Sequence, residues 1–126
     1  MKKTEVKKSD NAKLNEAIEH LAIALKHEKE AVKNPIFYAA IVKSFEVCFE
    51  YAWRHMKLKA AAEGLEIYSP REAIKAAGRI GLINDVETWL DDLENRNLSV
   101  HDYLGITKED YLKSIKKFLL RVKNLK

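Results

Sequence analysis

The sequence predicts an all-α fold, arranged as an antiparallel up-and-down four-helix bundle with one additional short helix. Apolar residues recur at spacings of three and four, which is the period of a helix with one buried face. The chain has only four Gly and two Pro, and no stretch alternates between apolar and polar residues as a strand does. With 126 residues and 47% hydrophobic content, it is long enough for one core. We therefore expect a single domain over residues 1–126, with residues 1–10 as a flexible tail.

The first two helices are predicted from apolar stripes and from the residues that end them. The first runs from about Asn11 to Lys33 and stops at Asn34-Pro35, because the residue before a proline avoids the helical conformation. The second runs from about Ile36 to Glu63 and ends at Gly64. Their inward residues are predicted to be Leu14, Ile18, Leu21 and Leu25 in the first helix, and Tyr38, Ile41, Phe45, Phe49, Ala52 and Met56 in the second.

The three later helices are predicted from capping signals. Ser69-Pro70-Arg71-Glu72 has a serine N-cap, a proline in the first turn and a glutamate that completes a capping box. The short helix that begins there should end between Gly78 and Gly81, two glycines that we interpret as helix-ending residues. Asn84 with Glu87 predicts the start of the fourth helix, and Thr107 predicts that of the fifth. Short connections favour antiparallel neighbours, which gives the bundle.

Charge and cysteine content exclude several classes of protein. The net charge of +4 is too small to indicate nucleic-acid binding. However, the charged residues of segment 84–103 are mostly acidic, and those of segment 108–126 are mostly basic. A phosphate-bearing ligand should be drawn first to the basic segment. Cys48 is the only cysteine, so an intrachain disulfide cannot form. No run of apolar residues is long enough to span a bilayer, and we expect a cytoplasmic protein without membrane contact.

Metal and cofactor sites are not expected. His20, His27 and His55 do not fall at a spacing typical of metal ligands with carboxylates or with the cysteine. No glycine-rich loop of the kind that cradles phosphates is present. We therefore predict neither a bound metal nor a cofactor.

The candidate site is the segment Arg96 to Tyr103, which contains a guanidinium, an amide, an imidazole and a phenol. On a straight helix Asn97 would continue the apolar stripe of the fourth helix into the core. Arg96 and His101 would lie about 140° apart around the helix axis, too far to hold one small group together. Either the helix is broken within this segment, or a second copy of the chain completes the site across a two-fold axis. In such a dimer two His101 side chains could act as base and acid in RNA cleavage, with Arg96 stabilising the phosphorane charge.

Each of these residues also has a purely structural interpretation. His101 could be a partly buried histidine paired with Glu94, and Arg96 could bridge to Asp92 one turn earlier. Asn97 could fix the packing of its helix through a buried hydrogen bond. Trp53 and Trp89 are more typical of core anchors than of stacking platforms for bases. The charged series of the second helix is either a solvated face or a surface that contacts the motif across the dimer; it comprises Glu46, Glu50, Arg54 and Lys57.

An ordered set of residues extends over nearly the whole chain. It comprises Phe45-Glu46, Glu50, Trp53-Arg54, Pro70-Arg71-Glu72-Ala73-Ile74-Lys75, Gly81-Leu82-Ile83, Asp85, Trp89, Arg96-Asn97, His101 and Tyr103. This set resembles the nucleotidyltransferase substrate-binding proteins of the HEPN superfamily. The chain departs from the family pattern at Ala77-Gly78-Arg79-Ile80 and at Val100. Neither departure removes a residue of the candidate site.

The resemblance implies a homodimer that associates with a minimal nucleotidyltransferase encoded nearby, and a role in presenting substrate to that enzyme. For relatives with the pattern Arg, four residues, His, one residue, Tyr, it implies a metal-independent ribonuclease toxin whose partner modifies the tyrosine. Arg96 and His101 would then be catalytic, Tyr103 the acceptor of the modification, and Asn97 a substrate contact. Glu46, Glu50, Trp53 and Arg54 would support the site. A non-catalytic subunit that binds substrate or nucleotide is the alternative, and nucleotidyl transfer itself would belong to the partner.

Overall fold

The computed structural model describes residues 2–98 and 107–125 of the chain. This described part contains six helices: α1 (Lys2–Leu25), α2 (Glu28–Ala31), α3 (Pro35–Ala62), α4 (Pro70–Arg79), α5 (Val86–Leu98) and α6 (Lys108–Val122). The long helices α1, α3, α5 and α6 form the bundle, and α2 and α4 are the short ones. The predicted all-α four-helix bundle is confirmed, with a second short helix in addition. None of the helices in the described ranges is long and apolar enough to span a bilayer.

Helix α3 lies at the centre of the bundle and packs against α1, α2, α4 and α5. Its N-terminal end faces the C-terminal end of α1, since the rings of His27 and Phe37 stack with centroids 5.1 Å apart. At the opposite end of the bundle, Leu14 of α1 and His55 of α3 line the same pocket. Helices α1 and α3 are therefore antiparallel, as the short connection between them predicts.

The first predicted helix is divided in two. Helix α1 begins at Lys2, well before the predicted start at about Asn11, and it ends at Leu25 rather than at Lys33. In the turn that follows, the imidazole of His27 packs on Phe37 and bonds to the Glu30 carboxylate at 2.8 Å. These contacts turn the chain around the start of α3, so tertiary packing overrides a continuous helical pattern. The flexibility of residues 1–10 stays a prediction.

Helix α3 follows its prediction closely. The side chain of Asn34 accepts a hydrogen bond from the backbone N–H of Ile36 at 2.9 Å, and Pro35 occupies the first turn. All six residues that the stripe predicts to face inward are buried. The helix stops before Gly64, whose φ of 86° is a left-handed conformation that an L-residue rarely adopts.

Helix α4 has the predicted cap and an unpredicted packing contact. The hydroxyl of Ser69 accepts from the backbone N–H of Glu72 at 3.2 Å. Gly81 follows the end of α4 and has a left-handed φ of 80°, as predicted for a helix-ending glycine. Gly78 has a different role, because it lies inside α4 and a Cβ at this position would overlap the Cγ2 methyl of Val86. It is therefore a packing residue that lets α4 and α5 approach closely.

Helix α5 buries a face that matches the predicted one only in part. It begins at Val86, so Asp85 rather than Asn84 precedes it. Its buried residues are Trp89, Asp92 and Leu93, whereas Asn97 is exposed. The predicted core position of Asn97 is therefore wrong. Val86 and Leu90 pack half-buried against the core, and burial of the large Trp89 side chain turns the helix so that Asn97 faces outward.

An ion pair between α5 and α6 accompanies that rotation. The two guanidinium nitrogens of Arg121 donate to the two carboxylate oxygens of Asp92, with Nη2 and Oδ1 separated by 2.9 Å. Only 4% of the Asp92 side chain and 19% of the Arg121 side chain are exposed. Burial raises the pKa of Asp92 above its ordinary value, and the guanidinium of Arg121 opposes this effect. The guanidinium carbon also lies 5.5 Å from the ring centroid of Trp89, so apolar surface encloses the pair.

We predict that Asp92→Ala lowers the free energy of unfolding by about 3 kcal/mol, because it leaves the Arg121 charge buried without its partner. The double variant Asp92→Leu/Arg121→Met should lose less than the sum of its two single variants, since it removes both charges. Urea unfolding followed by circular dichroism measures the free energies. Additive losses in the double-mutant cycle would show that the pair is not coupled.

Candidate functional site

The part of α3 beside its core stripe carries a linked group of polar side chains. The indole N–H of Trp53 donates to the carboxylate of Glu50. The same carboxylate lies 3.6 Å from the Arg54 guanidinium, whose carbon is 5.8 Å from the ring centroid of Tyr51. Because Trp53 and Arg54 are three and four residues after Glu50, one helical face brings them together. Three of the four supporting residues predicted from the resemblance are thus joined through Glu50.

Arg96 comes to α3 from the last turns of α5. Its guanidinium carbon lies 5.7 Å from the ring centroid of Phe49. Its Nε is buried and has no hydrogen-bond partner among the residues that the structure describes. A guanidinium held on an aromatic ring is a type of group that binds anionic ligand oxygens.

Arg96 and the polar group on α3 lie at the same level of the bundle. Glu46, Glu50 and Trp53 are all within four residues of Phe49, the ring against which Arg96 packs. Glu46 and Trp53 are both half-buried, and they lie three residues before and four residues after Phe49 on α3. We call Arg96 together with Glu46, Glu50 and Trp53 the α3–α5 groove. Its cationic and aromatic groups come from different helices, which a pattern on one helix does not reveal.

The other predicted site residues are not in this groove, or cannot be placed in it. Asn97 is exposed, so it neither fills a core position nor fixes helix packing through a buried hydrogen bond. His101 and Tyr103 lie outside the described residues, and their predicted roles stay predictions. The alternative pairing of Arg96 with Asp92 is wrong, because Asp92 binds Arg121 and Arg96 packs on Phe49.

Two contacts that position Arg96 were not predicted. One is the Asp92–Arg121 ion pair, one turn before Arg96 on α5. The other is a hydrogen bond of 2.7 Å from the Tyr111 hydroxyl to the backbone carbonyl of Asn95. The charge distribution along the sequence was an indication of the ion pair, because the acidic segment and the basic segment are close in sequence and meet in space. Together these contacts fix the turn of α5 that carries the arginine.

The chemistry of the groove is that of binding a polar ligand. Arg96 supplies a fixed positive charge that matches phosphate or carboxylate oxygens. The half-buried indole of Trp53 offers an apolar face, and Glu46 and Glu50 are acceptors for hydroxyl or amino groups. Within residues 2–98 and 107–125, no three His, Cys, Asp or Glu side chains are grouped so as to hold a metal ion. The buried Cys48 thiol, whose pKa burial raises to about 12, is not a nucleophile in the folded state.

The described helices form a small all-α bundle in which Arg96 of α5 packs on α3, close in sequence register to the polar group joined by Glu50. The chain belongs to the family described as nucleotidyltransferase substrate binding protein like, whose model matches residues 9–126. It is similar in structure to a crystallised protein from Thermus thermophilus, with a TM-score of 0.54 and 26% sequence identity. That similarity covers 82% of this chain and 98% of the crystallised protein. No curated protein matches the chain in sequence.

We predict that Glu50→Ala lowers the free energy of unfolding by about 1–2 kcal/mol, because the part-buried indole N–H of Trp53 loses its acceptor. Glu50→Gln should cost less, since the amide oxygen still accepts that hydrogen bond. Arg54→Ala should change stability by less than about 1 kcal/mol, as expected for an exposed ion pair. Urea unfolding of the three variants separates the two interactions, and equal losses in all of them would contradict this assignment.

Proposed function

We propose that this chain is the substrate-binding subunit of a two-component module whose other component is a minimal nucleotidyltransferase. Membership of the family supports the pairing with such an enzyme. The observation that carries the proposal is the α3–α5 groove, in which the guanidinium of Arg96 lies on the ring of Phe49, one turn of α3 before Trp53. In the bound state the guanidinium of Arg96 faces an anionic group of the substrate.

The groove supplies binding and orientation to the module. Arg96 holds a phosphate or carboxylate of the substrate, and the Trp53 indole packs against a ring or an apolar part of it. Glu50 fixes the Trp53 side chain through its hydrogen bond, so less rotamer freedom is lost when the ligand binds. Nucleotidyl transfer is carried out by the partner, which receives the substrate in a defined orientation.

Adenosine 5′-monophosphate is a suitable probe, because it combines an anionic group with an aromatic ring. We expect it to change the tryptophan fluorescence through the half-buried Trp53, and Trp53→Phe should abolish the change because Trp89 is buried. Arg96→Ala should weaken binding about tenfold or more, as the loss of a charged hydrogen bond does. Arg79→Ala removes the same charge from an exposed position on α4 and serves as the matched control. Equal affinities of these two variants would exclude Arg96 from the site.

A second candidate function is metal-independent RNA cleavage by a HEPN-type toxin. The observation that favours it is the intact spacing of Arg96, His101 and Tyr103 in the sequence. In this hypothesis Arg96 stabilises the phosphorane, His101 transfers protons and Tyr103 is the residue that the partner modifies. A homodimer brings two copies of the segment together and supplies one imidazole as base and the other as acid.

The ribonuclease hypothesis predicts a dimer in light scattering and slow cleavage of RNA in the presence of EDTA. His101→Ala should abolish that cleavage, and an exposed histidine changed in the same way, His20→Ala, should leave it intact. Full cleavage by His101→Ala would remove this residue from the mechanism. A monomeric mass at micromolar concentration would remove the two-fold site. Binding of the nucleotide probe without any cleavage favours the substrate-binding function over the ribonuclease.

A further inference from the structure

A second polar pocket lies at the far end of the bundle from the α2 turn, where α1, α3 and the end of α6 meet. It has a volume of about 200 Å³. Lys59 of α3 and Lys123, which directly follows α6, both line it, and so do Asn11 and Asn15 of α1. His55 also lines it and is only 7% exposed. The side chains that converge here are two ammonium groups, two amides and an imidazole, all of which can donate hydrogen bonds.

The pocket is electropositive on balance. Among its lining residues in the described part of the chain, none is Asp or Glu. Lys59 is in the last turn of α3, and Lys123 caps the end of α6, so each ammonium offsets a helix dipole. A helix C-terminus carries roughly half a negative charge, and two of them offset about one of the two positive charges. About one positive charge is therefore left in excess at this pocket.

Apolar walls reduce the screening of this charge by solvent. Leu14, Ile18 and Leu125 line the same pocket, and Leu14 and Leu125 are buried. Next to such a wall an ion pair is screened less than on an open surface. The pocket is also smaller than the roughly 300–1,000 Å³ typical of sites for whole drug-sized ligands. It therefore fits the charged end of a ligand better than an entire nucleotide.

We propose that this pocket binds the terminal phosphate of a small phosphorylated molecule. The ammonium groups of Lys59 and Lys123 hold the phosphate from two sides, and the amides of Asn11 and Asn15 donate to its remaining oxygens. A chain of RNA is a poorer match, because binding its backbone requires a groove with cations along several nucleotides. Here the two lysines line a single pocket.

This pocket is separate from the α3–α5 groove, and the proposal does not depend on the function of that groove. Lys59 lies ten residues after Phe49 on α3, which corresponds to about 15 Å along the helix. The two sites share no residue. A variant of one site therefore leaves the other available as an internal control.

The test is a titration with inorganic phosphate followed by NMR. At low salt we expect phosphate to shift the side-chain amide signals of Asn11 and Asn15. Lys59→Gln/Lys123→Gln should weaken this effect about tenfold or more, equivalent to about 1.4 kcal/mol. The control Lys43→Gln/Lys117→Gln makes the same change in net charge at exposed positions outside the pocket. It should retain the wild-type affinity.

Further probes distinguish the sources of the phosphate. Adenosine 5′-monophosphate should shift the same amide signals as phosphate, and adenosine should not. An oligoribonucleotide without a terminal phosphate should bind more weakly than the monophosphate. Stronger binding of that oligoribonucleotide at this pocket would overturn the proposal, as would absent amide shifts or equal affinities of the two double variants. Arg96→Ala should leave these shifts unchanged, so failure at the α3–α5 groove can be told apart from failure here.

Discussion

The buried ion pair between Asp92 and Arg121 sets the orientation of α5, on which the candidate site depends. A carboxylate on the core face of a helix is costly unless a cation meets it with good geometry. Arg121 provides that geometry from α6 with two hydrogen bonds and packs its guanidinium near Trp89. The pair and the tryptophan thus hold the same rotation of the helix. A different rotation would bury Asn97 and leave the Asp92 charge without its partner.

The position of Arg96 follows from this rotation. Trp89, Asp92 and Arg96 are spaced by three and four residues, so they lie along one side of α5. The first packs in the aromatic core, the second binds α6 and the third reaches Phe49 on α3. Further support comes from α6, where Tyr111 bonds to the carbonyl that precedes Arg96. The arginine is thus presented by a helix that is fixed on both sides, which favours a preorganised site.

The sequence predicted well those features that depend on local signals. The caps at Ser69 and Thr107, the end of α3 before Gly64 and the inward stripe of α3 all agree with the structure. The break after Leu25 and the buried face of α5 could not be predicted in the same way. They depend on partners distant in sequence, namely Phe37 for His27 and Arg121 for Asp92. Charge composition indicated that the two segments are complementary, but not which acidic and basic residues pair.

The residues of the candidate site differ in the same way, between those set by local signals and those set by partners distant in sequence. The residues on α3 were identified from a resemblance, and their mutual contacts follow from helical spacing. The contact between Arg96 and Phe49 joins two helices, and the residue pattern of a single helix cannot predict it. For Asn97 the sequence did contain the relevant evidence. A polar residue that continues an apolar stripe argues against burial of that side of the helix.

The close contact between Gly78 and Val86 also affects how rigidly α4 and α5 are joined. Backbone and methyl group meet there without another side chain between them, so α4 and α5 have little room to slide past each other. Helices α4 and α5 therefore form one stiff hairpin, which α6 holds in turn through Asp92 and the carbonyl of Asn95. The absence of one methyl group at Gly78 thereby extends the rigid support of Arg96 from α5 to α4.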